Sequence, residues 1–480
     1  MTFMSAACVR TSPTLTASHS GSLPTRSGKA QRSTQCRLPN SSSAGASLTC
    51  RAVPGLEITG HFARGGAGKN IETTVNNSYM PQISKKSSAL PASAIRKLAP
   101  VSEAAEAAGV KVYHLNVGAP DIKSPECALE AVKAACDRLD HISYSNSAGL
   151  MPLRKGLVEK YYKKCGIELD ASEILIDVAG SEAFALAMQV AADPGEEIIV
   201  VEPFYTNYNT YAILNDIKLV AVHTNIRNNF DIPGIEEFEK VLTPKTRAVL
   251  ISNPCNPSGK LFSKEEMIQL GQFCLKHDLF LISDEVYREF CYTEEPHFSA
   301  MNLKGLEQHV ILVDSVSKRY NLCGVRIGCI ASHNKDVIAA ALKYAQSRLC
   351  PPVLGQYATI GALDTPDSYF AEVREEYIRR RDVTIKALNE IPGVFAPTPL
   401  GAFYAVAELP IDDADEFAKW LLTDFRYNNE TVQLTPATAF YAEKTIKNQV
   451  RIAYVLEVPE LEKAMKCIAE ALKVYPGRTN

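Results

Sequence analysis

The sequence predicts an α/β fold, with a large domain built on a mostly parallel central sheet and a smaller α+β domain after it. Three observations carry that expectation. Apolar, β-rich runs recur at 174–178, 197–201, 219–223, 247–252, 279–283 and 310–313. Amphipathic segments of about ten residues separate many of them, and such alternation builds parallel strands crossed by helices. Past Pro351 the pattern changes. A long charged helix over 368–389 leads to strands around 401–407 and 450–454, and a helix over 460–474 follows.

Taken from the start, the chain has no acidic residue before Glu57 but six basic ones: Arg10, Arg26, Lys29, Arg32, Arg37 and Arg51. Eighteen of its first 54 residues are Ser or Thr. An acid-poor, Ser-rich, Arg-containing segment without a continuous apolar core has the composition of an organelle transit peptide, here over 1–56. The Ser/Thr richness favours a plastid (chloroplast) over the mitochondrial alternative, and a disordered tail is the plain alternative to both. Residues 57–83, with Gly65-Gly66-Ala67-Gly68, read as linker. Residues 84–124 read as an N-terminal arm that contributes to the small domain. Its helix stops at Gly109, and a short strand over 111–117 ends in Gly118-Ala119-Pro120-Asp121. Residues 125–355 are assigned to the large domain and 356–480 to the small one.

Apolar content of 46% and charged content of 22% are those of a globular enzyme. A formal net charge of -3 gives no footprint for nucleic acid. No apolar run approaches the roughly 18 residues that a membrane-spanning helix needs. Of thirteen cysteines, three belong to the leader and the other ten show no C-x-x-C spacing. They read as buried free thiols in a reducing compartment, and no metal site is expected.

The chemistry concentrates at the ends of the predicted strands, where ligands of open α/β sheets bind. Ser315-Val316-Ser317-Lys318 follows the run at 310–313, with Arg326 eight residues after the lysine. An amine, two hydroxyls and a guanidinium in one segment suit an anionic aldehyde and a Schiff-base lysine. An ordinary edge lysine beside a structural arginine is the alternative. Gly180-Ser181 joins a strand to a helix whose first N–H groups suit a phosphate. In Asn253-Pro254-Cys255-Asn256-Pro257, two Asn-Pro steps restrict the backbone that carries the Asn256 amide, although a simple turn would need the same residues. Asp284 ends the next strand, where a buried carboxylate requires a cationic partner, and Tyr287 follows it. Tyr205 offers a face for ring stacking. Arg451 lies inside an apolar strand and requires a carboxylate, from a ligand or from a structural salt bridge.

In order and spacing these segments resemble the fold-type I, pyridoxal-phosphate-dependent class I aminotransferases, aspartate-aminotransferase-like, over about residues 84–475. The resemblance rests on Gly118-Ala-Pro-Asp, Tyr144 with Gly149 and Leu153-Arg154, Gly180-Ser-Glu-Ala, Asn256-Pro-Ser-Gly, Asp284-Glu-Val-Tyr287, Ser315-Val-Ser-Lys318, Arg326 and Arg451. It implies that Lys318 holds pyridoxal 5'-phosphate and shuttles the substrate proton. Asp284 would keep the ring nitrogen protonated, and Tyr287 and Asn256 would bond the ring oxygen while Tyr205 stacks on the ring. Ser315, Arg326 and the Gly180-Ser181 backbone would hold the phosphate. Tyr144 would reach a phosphate in the neighbouring subunit of a homodimer, and Arg451, assisted by Gly118 and Asn256, would grip the substrate α-carboxylate.

The implied reaction is transamination between an L-amino acid, aspartate first, and 2-oxoglutarate. The partners are therefore amino acids and 2-oxo acids, not nucleic acid or membrane. The chain departs from the aspartate enzymes at Tyr205, where they carry tryptophan, and at Ser181, where bacterial-type ones carry a lysine for the second carboxylate. Ala437 also stands where glycine is common. Different or broad amino-acid specificity, a lyase or synthase of the same fold, and a cofactor-binding protein without catalysis remain as alternatives.

Overall fold

The computed structural model describes residues 81–479. The expected transit peptide and all but the last residues of the linker lie outside the described residues. In chain order the strands are β1 (Lys111–His114), β2 (Ile174–Asp177), β3 (Glu197–Val201), β4 (Lys218–Val222), β5 (Thr246–Ser252) and β6 (Phe280–Asp284). They continue with β7 (Val310–Ser315), β8 (Gly328–Ala331), β9 (Tyr404–Glu408), β10 (Glu430–Gln433), β11 (Thr435–Pro436) and β12 (Gln449–Ala453).

The central sheet has seven strands in the order β2-β8-β7-β6-β5-β3-β4. Every pairing among β3 to β7 is parallel. Sequences such as Ala-Val-Leu-Ile-Ser in β5 and Val-Ile-Leu-Val-Asp-Ser in β7 are buried throughout, as strands covered on both faces must be. One face packs on helices Ala179–Ala191 and Lys335–Ser347 through Phe184, Ala187, Val337 and Ala341. The other carries Leu153, Met267, Leu270 and Phe273. Burying such side chains contributes about 1.5–3 kcal/mol each, which is what holds the layers together.

The four-residue β8 has no counterpart among the predicted strands. It runs antiparallel to both neighbours, β2 and β7, and so makes the sheet mixed. Its first residue, Gly328, is wedged against backbone: a Cβ there would lie 2.5 Å from the Ala179 carbonyl carbon and 2.6 Å from the Gly180 nitrogen. That close approach sets the start of helix Ala179–Ala191 directly on the sheet.

A second core gathers around β9, β12 and the helices Asp367–Asn389 and Val458–Val474. Tyr113 and Leu115, within and just after the first strand, join it, and β1 pairs in parallel with β10. Tyr287 and Phe290, from the segment after β6, also reach into this core. The expected domain boundary at 355/356 falls inside helix Val353–Ala362, which packs on helix Glu126–Arg138, so the layers change after that helix.

Gly328→Ala should destabilise the protein by about 1–3 kcal/mol, because the atoms it meets are backbone and cannot rotate away. Urea unfolding of the variant checks this, and an unchanged midpoint would refute the close approach.

Candidate active site

β5, β6 and β7 lie side by side and end in register: Ser252 pairs with Asp284, and Asp284 with Val313. Their carboxyl ends therefore open into one space, a cavity of about 1370 Å³. That volume suits a cofactor with a small substrate. Gly118, Gly180, Ser181, Tyr205, Asn256, Asp284, Tyr287, Ser315, Lys318, Arg326 and Arg451 all line it. Tyr144 does not; it is 78% exposed on the surface.

β7 carries the lysine in. It runs through Ser315, two residues further than the apolar run suggests, and turns at once into the single helical turn Val316–Arg319. Ser315 caps that turn, its hydroxyl accepting from the Ser317 N–H at 3.2 Å and donating to the Ile327 carbonyl at 3.0 Å. Lys318 Nζ projects into the cavity and donates to the Gly118 carbonyl at 2.7 Å, with Cys323 Sγ at 3.9 Å. Gly118 has a second role. A Cβ on it would collide with the Tyr404 hydroxyl, so only glycine lets Tyr404 reach Tyr287, 2.9 Å away oxygen to oxygen.

Asp284 is fully buried. Burial pushes its pKa up to about 7, opposed by hydrogen bonds from the Tyr208 hydroxyl (2.6 Å) and the Val286 N–H (3.3 Å). It makes no ion pair with a described residue, and the carboxylates of Asp314 and Glu285 raise it further. A ring nitrogen carrying a proton would supply the missing positive charge.

Arg451 poses the opposite problem. It is 1% exposed on β12, and burial pulls its pKa below the ordinary arginine value. Nη1 donates to Asn256 Oδ1 at 3.1 Å and Nη2 to the Asn116 carbonyl, while Nε has no partner. Its neighbours are the faces of Tyr404 and Phe440, and no carboxylate pairs with it among the described residues. A guanidinium so placed calls for an anion from solution. Asn256 is held by a loop in which both Asn-Pro bonds are cis, and with Oδ1 engaged by Arg451 its NH2 remains the donor.

The third group has the donors that suit an anion. The start of helix Ala179–Ala191 brings Gly180 and Ser181 to the cavity wall. The Ser315 and Ser317 hydroxyls, 2.9 Å apart, and Arg326 line the same cavity. Arg326 adopts a left-handed backbone (φ 57°), a strained conformation for a residue with a side chain. These residues fit a phosphorylated pyridine aldehyde: an amine, a buried carboxylate without a cation, and hydroxyls and a guanidinium at a helix start.

Sequence reasoning missed several members. Tyr208 lies three residues after Tyr205, but twenty tyrosines gave it no distinction. Tyr404 was passed over for the same reason, and so was the buried pair formed by Asp314 and Arg319 on either side of Ser315–Lys318.

The family profile "Aminotransferase class I and II" matches residues 110–468. The chain is 34% identical to the aspartate aminotransferase of Pyrococcus abyssi over 389 residues, covering 79% of this chain and 96% of that protein. It is 32% identical over 387 residues to aromatic-amino-acid aminotransferase 2 of Thermococcus litoralis, covering 79% and 96%. The fold is similar to that of Thermus thermophilus aspartate aminotransferase, solved with maleate. The TM-score is 0.75 at 29% identity, over 82% of this chain and all of that one.

Asp284 binds its proton more tightly folded than unfolded, so its charge weakens the cofactor-free protein as pH rises from about 4 to 7. Asp284→Asn should therefore be the more stable form at pH 8, by at most about 4 kcal/mol, and lose that advantage towards pH 4. Denaturant melts at both pH values check this; equal stability at pH 8 would contradict it.

Proposed function

This chain belongs to the class I and II aminotransferases and is a pyridoxal-phosphate-dependent enzyme, and we propose that aspartate and 2-oxoglutarate are its substrates. One observation carries the reading of the site. Asp284 and Arg451 are buried in the wall of one cavity, each without a countercharge among the described residues, and the Lys318 amine projects into the same space.

When bound, pyridoxal phosphate supplies an aldehyde that takes up the amino group and a ring that draws electrons from the substrate Cα. The protein's residues do the rest. Lys318 would hold the cofactor through its amine and would serve as the base that moves the substrate Cα proton. Asp284, steadied by the Tyr208 hydroxyl, would face the ring nitrogen and favour its protonated form. Tyr287 and the Asn256 NH2 donate towards the ring oxygen, and Tyr205 covers the ring. Ser315, Arg326 and the Gly180-Ser181 backbone bind the phosphate. Arg451, oriented by Asn256 Oδ1 and itself buried, would take the substrate α-carboxylate.

Support for aspartate comes from the Pyrococcus and Thermus relatives and from Arg96, an exposed cation that lines the same cavity. Ser181 and Tyr205 are the residues that set this chain apart from the usual aspartate pattern. We also propose a homodimer. Tyr144, Ile142 and Met151 are exposed apolar side chains around one loop, and by the family resemblance the Tyr144 hydroxyl would reach a phosphate in the neighbouring subunit. Residues 1–56 are proposed to direct plastid import.

Mixing the loaded enzyme with aspartate should exchange the cofactor's visible absorption for that of its aminated form. A response to aromatic amino acids but not to aspartate would overturn the substrate. Arg451→Ala should raise the aspartate KM by about 30-fold or more, since a desolvated charge pair is lost. A one-chain mass by light scattering would overturn the dimer, and a 1–56 fusion that stays in the cytosol would overturn the import.

A further inference from the structure

Beneath the lysine lies an ionic cluster that the chemistry above does not use. Asp314 and Arg319 are 1% and 3% exposed and stand immediately before Ser315 and immediately after Lys318. Arg319 Nη2 is 2.5 Å from Asp314 Oδ2, which also accepts from the Tyr162 hydroxyl at 2.8 Å. Asp314 Oδ1 accepts from the Ser315 N–H at 2.7 Å. The guanidinium of Arg319 stacks 3.5 Å from the ring centroid of Tyr161, whose hydroxyl donates to Glu289 Oε1 at 2.5 Å. A second buried pair, Glu285 with Arg288 at 2.5 Å, sits beside the first. Burial alone would push the Asp314 carboxyl up, but the Arg319 and Arg288 guanidiniums reverse this and hold it below its ordinary value.

The segment between these two charges is one helical turn. A single turn fixes several backbone dihedrals for one hydrogen bond and does not hold itself. Its start is tied by Asp314 through the Ser315 N–H, and its end by Arg319 through the ion pair. The two ties meet at one carboxylate, so the turn is closed from below, on the side away from the cavity. Lys318 is the last residue before that closure, and its side chain has four freely rotating bonds to restrain.

Resting on the aminotransferase reading of the site, we propose that Arg319 is a positioning residue: by pairing with Asp314 it clamps the one-turn helix and holds the Lys318 amine where it can bond the cofactor aldehyde. The bond in question joins Nζ to the aldehyde carbon with loss of water, and it needs the amine within reach and aimed. Phosphate, ring nitrogen and ring oxygen contacts come from other residues. The Ser315 end of the turn keeps its own tie to Asp314 when Arg319 is lost, so loosening the Arg319 end weakens the covalent part of cofactor binding more than the rest.

The test compares two ligands on the cofactor-free protein. Pyridoxal 5'-phosphate can bond Lys318; pyridoxine 5'-phosphate, which has an alcohol in place of the aldehyde, cannot. Arg319→Gln should lower affinity for the aldehyde by about tenfold or more while changing that for the alcohol less than about threefold, as expected when a reacting group is misplaced but the rest of the site is kept. Arg319→Lys, which keeps the charge, should recover part of the loss. If Arg319→Gln does not fold, Tyr162→Phe carries the test, with a smaller fall in the same ratio. Equal falls for both ligands, or an unchanged ratio in the folded variant, would overturn the proposal. A wild-type protein that binds the two ligands equally would overturn it together with the reading on which it rests.

Discussion

Burial of charge without a local countercharge is the constraint on which the rest of this structure depends. Moving an isolated ion into a protein interior is costly, and proteins normally avoid it by pairing or neutralisation. Here Asp284 and Arg451 are both buried on the same cavity and are not paired with each other. The chain keeps them apart by carrying one on the central sheet and the other on the β9-β12 sheet. The remaining architecture makes this tolerable. Tyr208 donates to Asp284, Asn256 and the Asn116 carbonyl accept from Arg451, and Tyr404 lays its ring against the guanidinium. Each provides a neutral partner that restrains the ion without cancelling its charge. A ligand with a cationic ring nitrogen at one end and a carboxylate at the other completes both.

The charges that are cancelled lie one layer deeper. Asp314 with Arg319 and Glu285 with Arg288 are fully paired. These pairs hold the scaffold, whereas Asp284 and Arg451 at the cavity wall have no ion-pair partner among the described residues. Buried pairs of this kind contribute little net stability, and their value lies in fixing geometry.

Much of this was legible in the sequence because a polar residue at the end of an apolar run is conspicuous. Lys318, Asp284 and Ser315 were found in that way and Arg451 as a charge inside an apolar run, and the strands that carry them are where their β-rich runs placed them. The rest depends on contacts between distant residues. Tyr208 meets Asp284 across 76 positions and Tyr287 meets Tyr404 across 117, and no local pattern distinguishes these tyrosines from the others. β8 was missed because Gly-Cys-Ile-Ala is too short and too small to read as a strand; it is one only because β2 and β7 flank it. Asp314 and Arg319 were visible beside the lysine, but their pairing across the turn follows from the turn itself.

The register of β5, β6 and β7 has one more consequence. Neighbouring strands lie about 4.8 Å apart whatever connects them. Asp284 is the last residue of β6, and Asn256 and Lys318 follow the ends of β5 and β7 by four and three residues, so the pitch of the sheet governs how far apart their anchors lie. Connections on the far side can lengthen, shorten or be replaced during evolution without moving any of the three. Arg451 on β12 is held separately, so the geometry of the site rests on three neighbouring strand ends and one strand of the second core.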